Sequence, residues 1–189
     1  MEIPLFPLHS ILFPGGALPL RIFESRYIDL VSRCLREESG FGICMIRQGQ
    51  EVGEAADVYD YGTYARIGYF EQLDNGLLGI TMRGETRFRI QRTWVESNSL
   101  LMGEVSLLPD EVSQALAPEH QPLSELLHQI IDRLGPPYST LPASYDDAAW
   151  VSQRLTELLP FDPELKQYFL QLDEPSQRLE RMLAILSRT

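Results

Sequence analysis

Residues Pro4–Val31, reading PLFPLHSILFPGGALPLRIFESRYIDLV, decide how this chain folds. The stretch is too apolar for a loop, yet its prolines and the Gly15-Gly16 pair interrupt it too often for a helix. Proline removes a backbone donor and fixes φ, whereas glycine admits positive φ. Two short strands are therefore predicted, Leu5–Leu8 and Ala17–Phe23, joined across a turn at Pro14-Gly15-Gly16. After Phe23 the hydrophobic period changes from about two to about 3.6 residues, which announces a helix. That helix runs from Ser25 to Glu38, with Ser25 as its N-cap and Gly40 as its stop. Its apolar face is read as Ile28, Val31 and Leu35, with Cys34 beside them. No acid, base or nucleophile is arranged here for catalysis; the segment builds a scaffold.

Further along, Phe41–Ile46 reads as a buried strand and Thr63–Leu73 as another. Asp74-Asn75-Gly76 supplies residues that tolerate the positive φ of a hairpin turn. Leu77–Met82 pairs back, Gly84 marks a kink or bulge, and Thr86–Trp94 and Leu101–Leu107 complete the set. So many short strands with one helix predict a small closed or half-open barrel. After Pro109 the pattern is helical. Leu123, Leu126, Leu127, Ile130, Ile131 and Leu134 form one amphipathic stripe, stopped by Gly135-Pro136-Pro137. A second helix spans about Asp146–Leu159. Asp162-Pro163 and Asp173-Glu174-Pro175 each place an acidic cap before a proline at the first helical position, opening two more. The expected organisation is α+β: a barrel-like lobe over 1–109, a linker over 110–122, and a helical bundle over 123–189.

Several separated segments carry a resemblance: LFPL at 5–8, LFPGGALPLRIFE at 12–24, FGICMIRQGQEVG at 41–53, YGTYARIGYFEQLDNGLLGITMRGETRFRI at 61–90, and LPFDPELKQYFLQLDEPSQRLERMLAIL at 159–186. Together they resemble the amino-terminal, substrate-binding domain of the ATP-dependent protease Lon, also found in cereblon and in short bacterial proteins that contain little else. The region 109–150 matches only as generic helix. The resemblance implies a pseudo-barrel of PUA-like character and engagement of unstructured or damaged polypeptides.

Composition is that of an ordinary globular chain, with 44% hydrophobic and 23% charged residues. Formal net charge is −11. Residues 1–109 hold 14 acids against 10 bases, and residues 110–189 hold 13 against 6. An acidic surface repels phosphate backbones, so nucleic acid is not expected as a partner. No apolar run approaches the roughly 20 residues that span a bilayer, and no signal-peptide pattern opens the chain. Cys34 and Cys44 read as small core hydrophobes, and a reducing cytoplasm is the expected location.

Lysine narrows the chemistry, because Lys166 is the single one present. A phosphate-binding P-loop needs Gly-Lys-Ser/Thr, and Lys166 follows Leu165 with no glycine near it. A Ser-Lys proteolytic dyad needs a lysine placed to deprotonate a serine, and a lone lysine in a terminal helix offers no such context. The ATPase and protease parts of Lon are expected to be missing, and the chain to be no enzyme. His9, His120 and His128 are too dispersed for zinc. Glu54, Asp57 and Asp60 read as a solvated acidic loop without EF-hand order. No Gly-x-Ser-x-Gly elbow occurs. Neither catalytic residues, nor cofactor, nor metal are expected.

Three features remain as binding candidates. Arg21, Glu24 and Arg26, with Tyr27, sit where strand hands over to helix; they form either a recognition edge or an ion pair pinning the helix to the barrel. Arg83, Arg87, Arg89 and Arg92 read as outward arginines. Tyr59, Tyr61 and Tyr64, with Tyr69 and Phe70, make either an exposed aromatic platform for an unfolded chain or core. The expected function is a non-catalytic protein-binding module for unfolded or partly folded polypeptides, acting as adaptor or regulator in proteolysis beside a protease or unfoldase, as a monomer or weak dimer. The alternative is a small-molecule or nucleotide-sensing domain with its ligand in a cleft between the two lobes.

Overall fold

The structure, a computed structural model, describes residues 1–187. Its backbone falls into two compact units, Met1–Pro109 and the residues from Asp110 onward.

The first unit contains β1 (Glu2–Leu8), β2 (Ala17–Ile22), α1 (Ser25–Glu37), β3 (Gly40–Gln48), β4 (Asp57–Gln72), β5 (Leu78–Val95) and β6 (Leu101–Leu107). The sheet order is β2-β5-β4-β3-β1-β6, with a further pairing of β5 to β6. That pairing closes β5, β4, β3, β1 and β6 into a ring. β2 lies outside the ring, held only to the first half of β5. β1 runs parallel to β3, and every other pairing is antiparallel.

The strands flanking Pro14-Gly15-Gly16 do not pair with each other. The turn docks on β5 instead: Gly15 N–H donates to Gly84 O at 2.9 Å, and Gly84 N–H donates to Gly16 O at 3.1 Å. Glycine is required at 84, where a Cβ would lie 2.1 Å from the Phe13 carbonyl oxygen. Gly84 does not divide two strands, because β5 is continuous. The irregularity is absorbed as a register shift, with Tyr64 opposite Thr86 and Ala65 opposite Gly84, so that Glu85 is the extra residue of a bulge.

Helix α1 also departs from its sequence reading. Glu24, not Ser25, is the N-cap, and Glu38 in the left-handed region (φ 51°) is the C-cap, whereas Gly40 opens β3. Its buried face is Tyr27, Leu30, Val31 and Cys34; Ile28 and Leu35 are 40% and 39% exposed. The helix is turned because Tyr27 stacks on Phe6 with ring centroids 4.1 Å apart, which commits that side of α1 to the barrel.

The second unit is built from α2 (Gln121–Leu134), α3 (Ala148–Leu158), α4 (Pro163–Gln171) and α5 (Pro175–Leu186). Its core joins Leu127, Ile131, Val151, Leu155, Phe169, Leu179 and Met182. Asp147 caps α3, its carboxylate accepting from Ala149 N at 2.9 Å. Segment 110–122, expected as a linker, is structured: Ala115 bridges to Asp147, and Pro118–His120 forms a 3-10 turn ahead of α2.

Candidate binding groove

A groove of about 360 Å³ opens beside β2. Consecutive residues Pro19 to Glu24 form one wall; Phe6 and Leu8 of β1, Tyr27 of α1, and Glu51 and Val52 between β3 and β4 complete it. Phe6 and Tyr27, stacked and buried, make the apolar base. Phe23 and Val52 stand at the lips with 54% and 53% of their surface exposed. The lip carrying Val52 is anchored by Glu51, whose carboxylate accepts from His9 N at 2.7 Å.

The Arg21, Glu24 and Arg26 trio divides between two jobs. Arg26 is buried, pairs with Glu24 at 3.1 Å, and donates to Ser99 O at 2.7 Å. Its guanidinium also lies 4.7 Å from the centroid of the Tyr27 ring. This pair ties the start of α1 to the loop before β6. Arg21 is exposed, and with Glu24 it lines the groove. Burial pushes the Tyr27 hydroxyl up to about 12, with nearby Arg26 opposing the rise and Glu24 adding to it.

The tyrosines of β4 do not gather at this groove. Arg47 lies over Tyr59 at 5.9 Å and Arg89 over Tyr61 at 5.8 Å. The Tyr64 hydroxyl accepts from Gly40 N at 2.7 Å, and its ring packs against the barrel core. Tyr69 and Phe70 are 58% and 56% exposed further along β4. Asp57 and Asp60 belong to β4 and not to a loop; Asp57 meets Arg47 at 2.8 Å, which holds its carboxyl below the usual range.

Arg87 corrects the reading of the β5 arginines as outward, since it is only 3% exposed. Arg92 faces Glu104 at 2.7 Å and Glu2 at 3.8 Å. Among the described residues no group of three or more His, Cys, Asp or Glu is placed to hold a metal ion, and no helix is long and apolar enough to cross a membrane.

The groove residues Phe6, Leu8, Leu20, Phe23 and Val52 were not singled out from sequence. Leu20 and Phe23 sit in an alternating run that reads as an ordinary core strand. Phe23 has one available signal: it is a large apolar residue at the end of a strand, immediately before a helix cap.

A ring of strands with a sixth strand appended, followed by a helical unit, defines a mixed α+β protein with an apolar groove beside its appended strand. Residues 2–188 match the substrate-binding domain of ATP-dependent protease La (LON), and the chain belongs to that family. The crystal structure of a Lon N-terminal domain protein from Xanthomonas campestris is similar, with TM-score 0.79, 41% identity, and 97% of this chain and 98% of that one covered. The N terminal domain of Mycobacterium avium complex Lon protease shares the fold at TM-score 0.61 and 16% identity, covering 97% of each chain. The Lon protease of Anaeromyxobacter dehalogenans is 26% identical over 193 residues, covering 98% of this chain and 23% of the relative. The chain thus spans about a quarter of the length of such full-length relatives.

Proposed function

We propose that this chain is a non-catalytic recognition module that captures unfolded or damaged polypeptides, serving as an adaptor or regulator in proteolysis beside a protease or unfoldase. Membership of a substrate-binding family supports the class of activity. The groove supplies the surface, and the observation that carries the reading is the exposure of Phe23 and Val52 on either lip of an apolar cleft. Soluble proteins hide most large apolar side chains, and a concave cluster left open marks a contact site. Arg21 and Glu24 are the sequence-selected residues at that site. Affinity is modest in this reading, since a flexible client loses conformational entropy on capture. The protein works in the cytoplasm, as a monomer or weak dimer. Family membership does not favour the small-molecule or nucleotide-sensing alternative.

Fluorescence anisotropy tests this. A labelled small basic disulfide protein, reduced and capped with iodoacetamide so that it stays unfolded, is titrated beside its folded form. Saturable binding of the unfolded form alone is expected. Absence of binding at high micromolar concentration would sink the reading.

A further inference from the structure

We infer that the client enters as an added β-strand on the free edge of β2; the inference rests on the recognition reading above and specifies its geometry. Among the described residues β2 is paired on one side only, to β5, and the groove lies at its other side: six consecutive residues, Pro19 to Glu24, line the groove and none from β5 does. Which backbone groups face the groove follows from the ladder. Gly16 O accepts from Gly84 N, so in the register Ala17↔Arg83 through Ile22↔Leu78 the even-numbered residues Leu18, Leu20 and Ile22 turn their N–H and C=O toward β5. Ala17, Pro19 and Arg21 turn theirs outward. Pro19 has no N–H to offer, which fits its outward position. Outside the ladder with β5, Pro19 and Arg21 make no backbone hydrogen bond among the described residues. The edge therefore offers the Pro19 and Arg21 carbonyls as acceptors and the Arg21 N–H as a donor.

An extended polypeptide uses that pattern, with main-chain bonds giving sequence-tolerant affinity and alternate side chains entering the apolar groove. Pro19 shortens the edge, so indiscriminate edge-to-edge pairing is limited. Charge narrows the client further. Glu51 at the lip bonds to an amide, and no cation pairs with it among the described residues. Arg21 sets one cation against Glu24 and Glu51 among the groove's lining residues, and with a net charge of −11 on the chain the favoured occupant is an extended apolar segment flanked by basic residues.

Arg21→Ala and Arg21→Pro separate the side chain from the backbone donor, because only the second removes the outward N–H. With the unfolded basic probe, Arg21→Ala gives the reference affinity for loss of the side chain alone. Arg21→Pro should bind at least tenfold more weakly at unchanged melting temperature. Glu51→Gln should weaken binding and flatten its salt dependence. Amide exchange read by NMR supplies a test in the parent protein alone: the Arg21 N–H slows at least tenfold when the probe is bound. Equal binding by Arg21→Ala and Arg21→Pro, or an unprotected Arg21 amide in the complex, overturns strand addition while leaving recognition intact. Protection of Arg21 that grows with protein concentration without probe assigns the edge to a second copy and also overturns it. A parent protein that fails to bind the probe removes the recognition reading itself.

Discussion

Arg178 of α5 is sealed inside the helical unit by Glu111: Nη2 lies 2.7 Å from Oε1, and the two side chains are 0% and 3% exposed. The same guanidinium donates to Ser152 Oγ at 2.8 Å, Leu172 O at 2.7 Å and Phe169 O at 3.1 Å. One arginine thus fastens α5 to α3, to the end of α4, and to the segment ahead of α2. Glu111 lies in the stretch that sequence alone presents as linker.

Breaking this pair leaves a buried charge without its counter-ion. Arg178→Met is expected to destabilise the helical unit by about 3–5 kcal/mol. The double substitution with Glu111→Leu should cost less than the sum of the two single ones. Urea unfolding followed by Trp150 fluorescence in a Trp94→Phe background measures both.

Gly84→Ala forces a methyl group against the Phe13 carbonyl, a contact a backbone cannot relieve by rotating a side chain. A loss at or beyond the upper end of about 1–3 kcal/mol is expected in the barrel unit. Thermal unfolding of Gly84→Ala beside Gly76→Ala gives the comparison. At Gly76 there is open space but a positive φ of 82°, so only conformational strain is added.

Phe23→Ser and Val52→Ser remove apolar surface from the groove lips at side chains more than half exposed, so folding stability should change little. Each should weaken capture of the unfolded probe about tenfold, the equivalent of roughly 1.4 kcal/mol of lost apolar contact. Unchanged affinity in both variants would remove the groove from the binding surface.

Burial raises the thiol pKa at both Cys34 and Cys44. A thiolate is the reactive species, so neither residue should be alkylated by iodoacetamide at pH 8 in the folded protein. Mass spectrometry before and after addition of denaturant reads this directly. Rapid modification of either thiol in the native state would contradict the packing of α1 or β3.

Tyr27 links stability to alkaline pH. Its folded pKa is about 12 against an ordinary value of 10.0, so the native state holds its proton more tightly than the unfolded state. The contribution is complete below pH 10 and falls away between about pH 10 and 12, with a slope of at most about 1.4 kcal/mol per pH unit. Tyr27→Phe should flatten the decline in that window. Denaturant midpoints measured from pH 9 to 12 for both proteins check the sign.

Much of the architecture was legible because it depends on local chemistry. The proline- and glycine-punctuated run that forms β1 and β2, the Asp74-Asn75-Gly76 turn, and the proline-led starts of α4 and α5 each follow from a few neighbouring residues. Where the reading slipped, a distant contact was responsible. Tyr27 faces the core because Phe6 lies across from it, and β5 stays unbroken because its bulge is accommodated by β4. Of the candidate residues, Arg21 and Glu24 reach the groove. Tyr59, Tyr61 and Tyr64 lie on a long strand that does not border it. No local pattern distinguishes a tyrosine beneath an arginine from one free to hold a client.

Sequence alone determined a strand-rich first unit, a helical second unit, and the lack of any local context around Lys166 for nucleotide or serine-lysine chemistry, since hydrophobic period, turn residues and motif spacing are written in neighbouring positions. Tertiary structure decided that β2 stands outside the ring with one edge unpaired among the described residues, that Glu111 is buried against Arg178, and that Phe23 and Val52 line one groove. The physical reason is the same in each case. Strand partners, buried ion pairs and concave surfaces join residues far apart in the chain, and the free energy that selects them arises only when the whole unit packs.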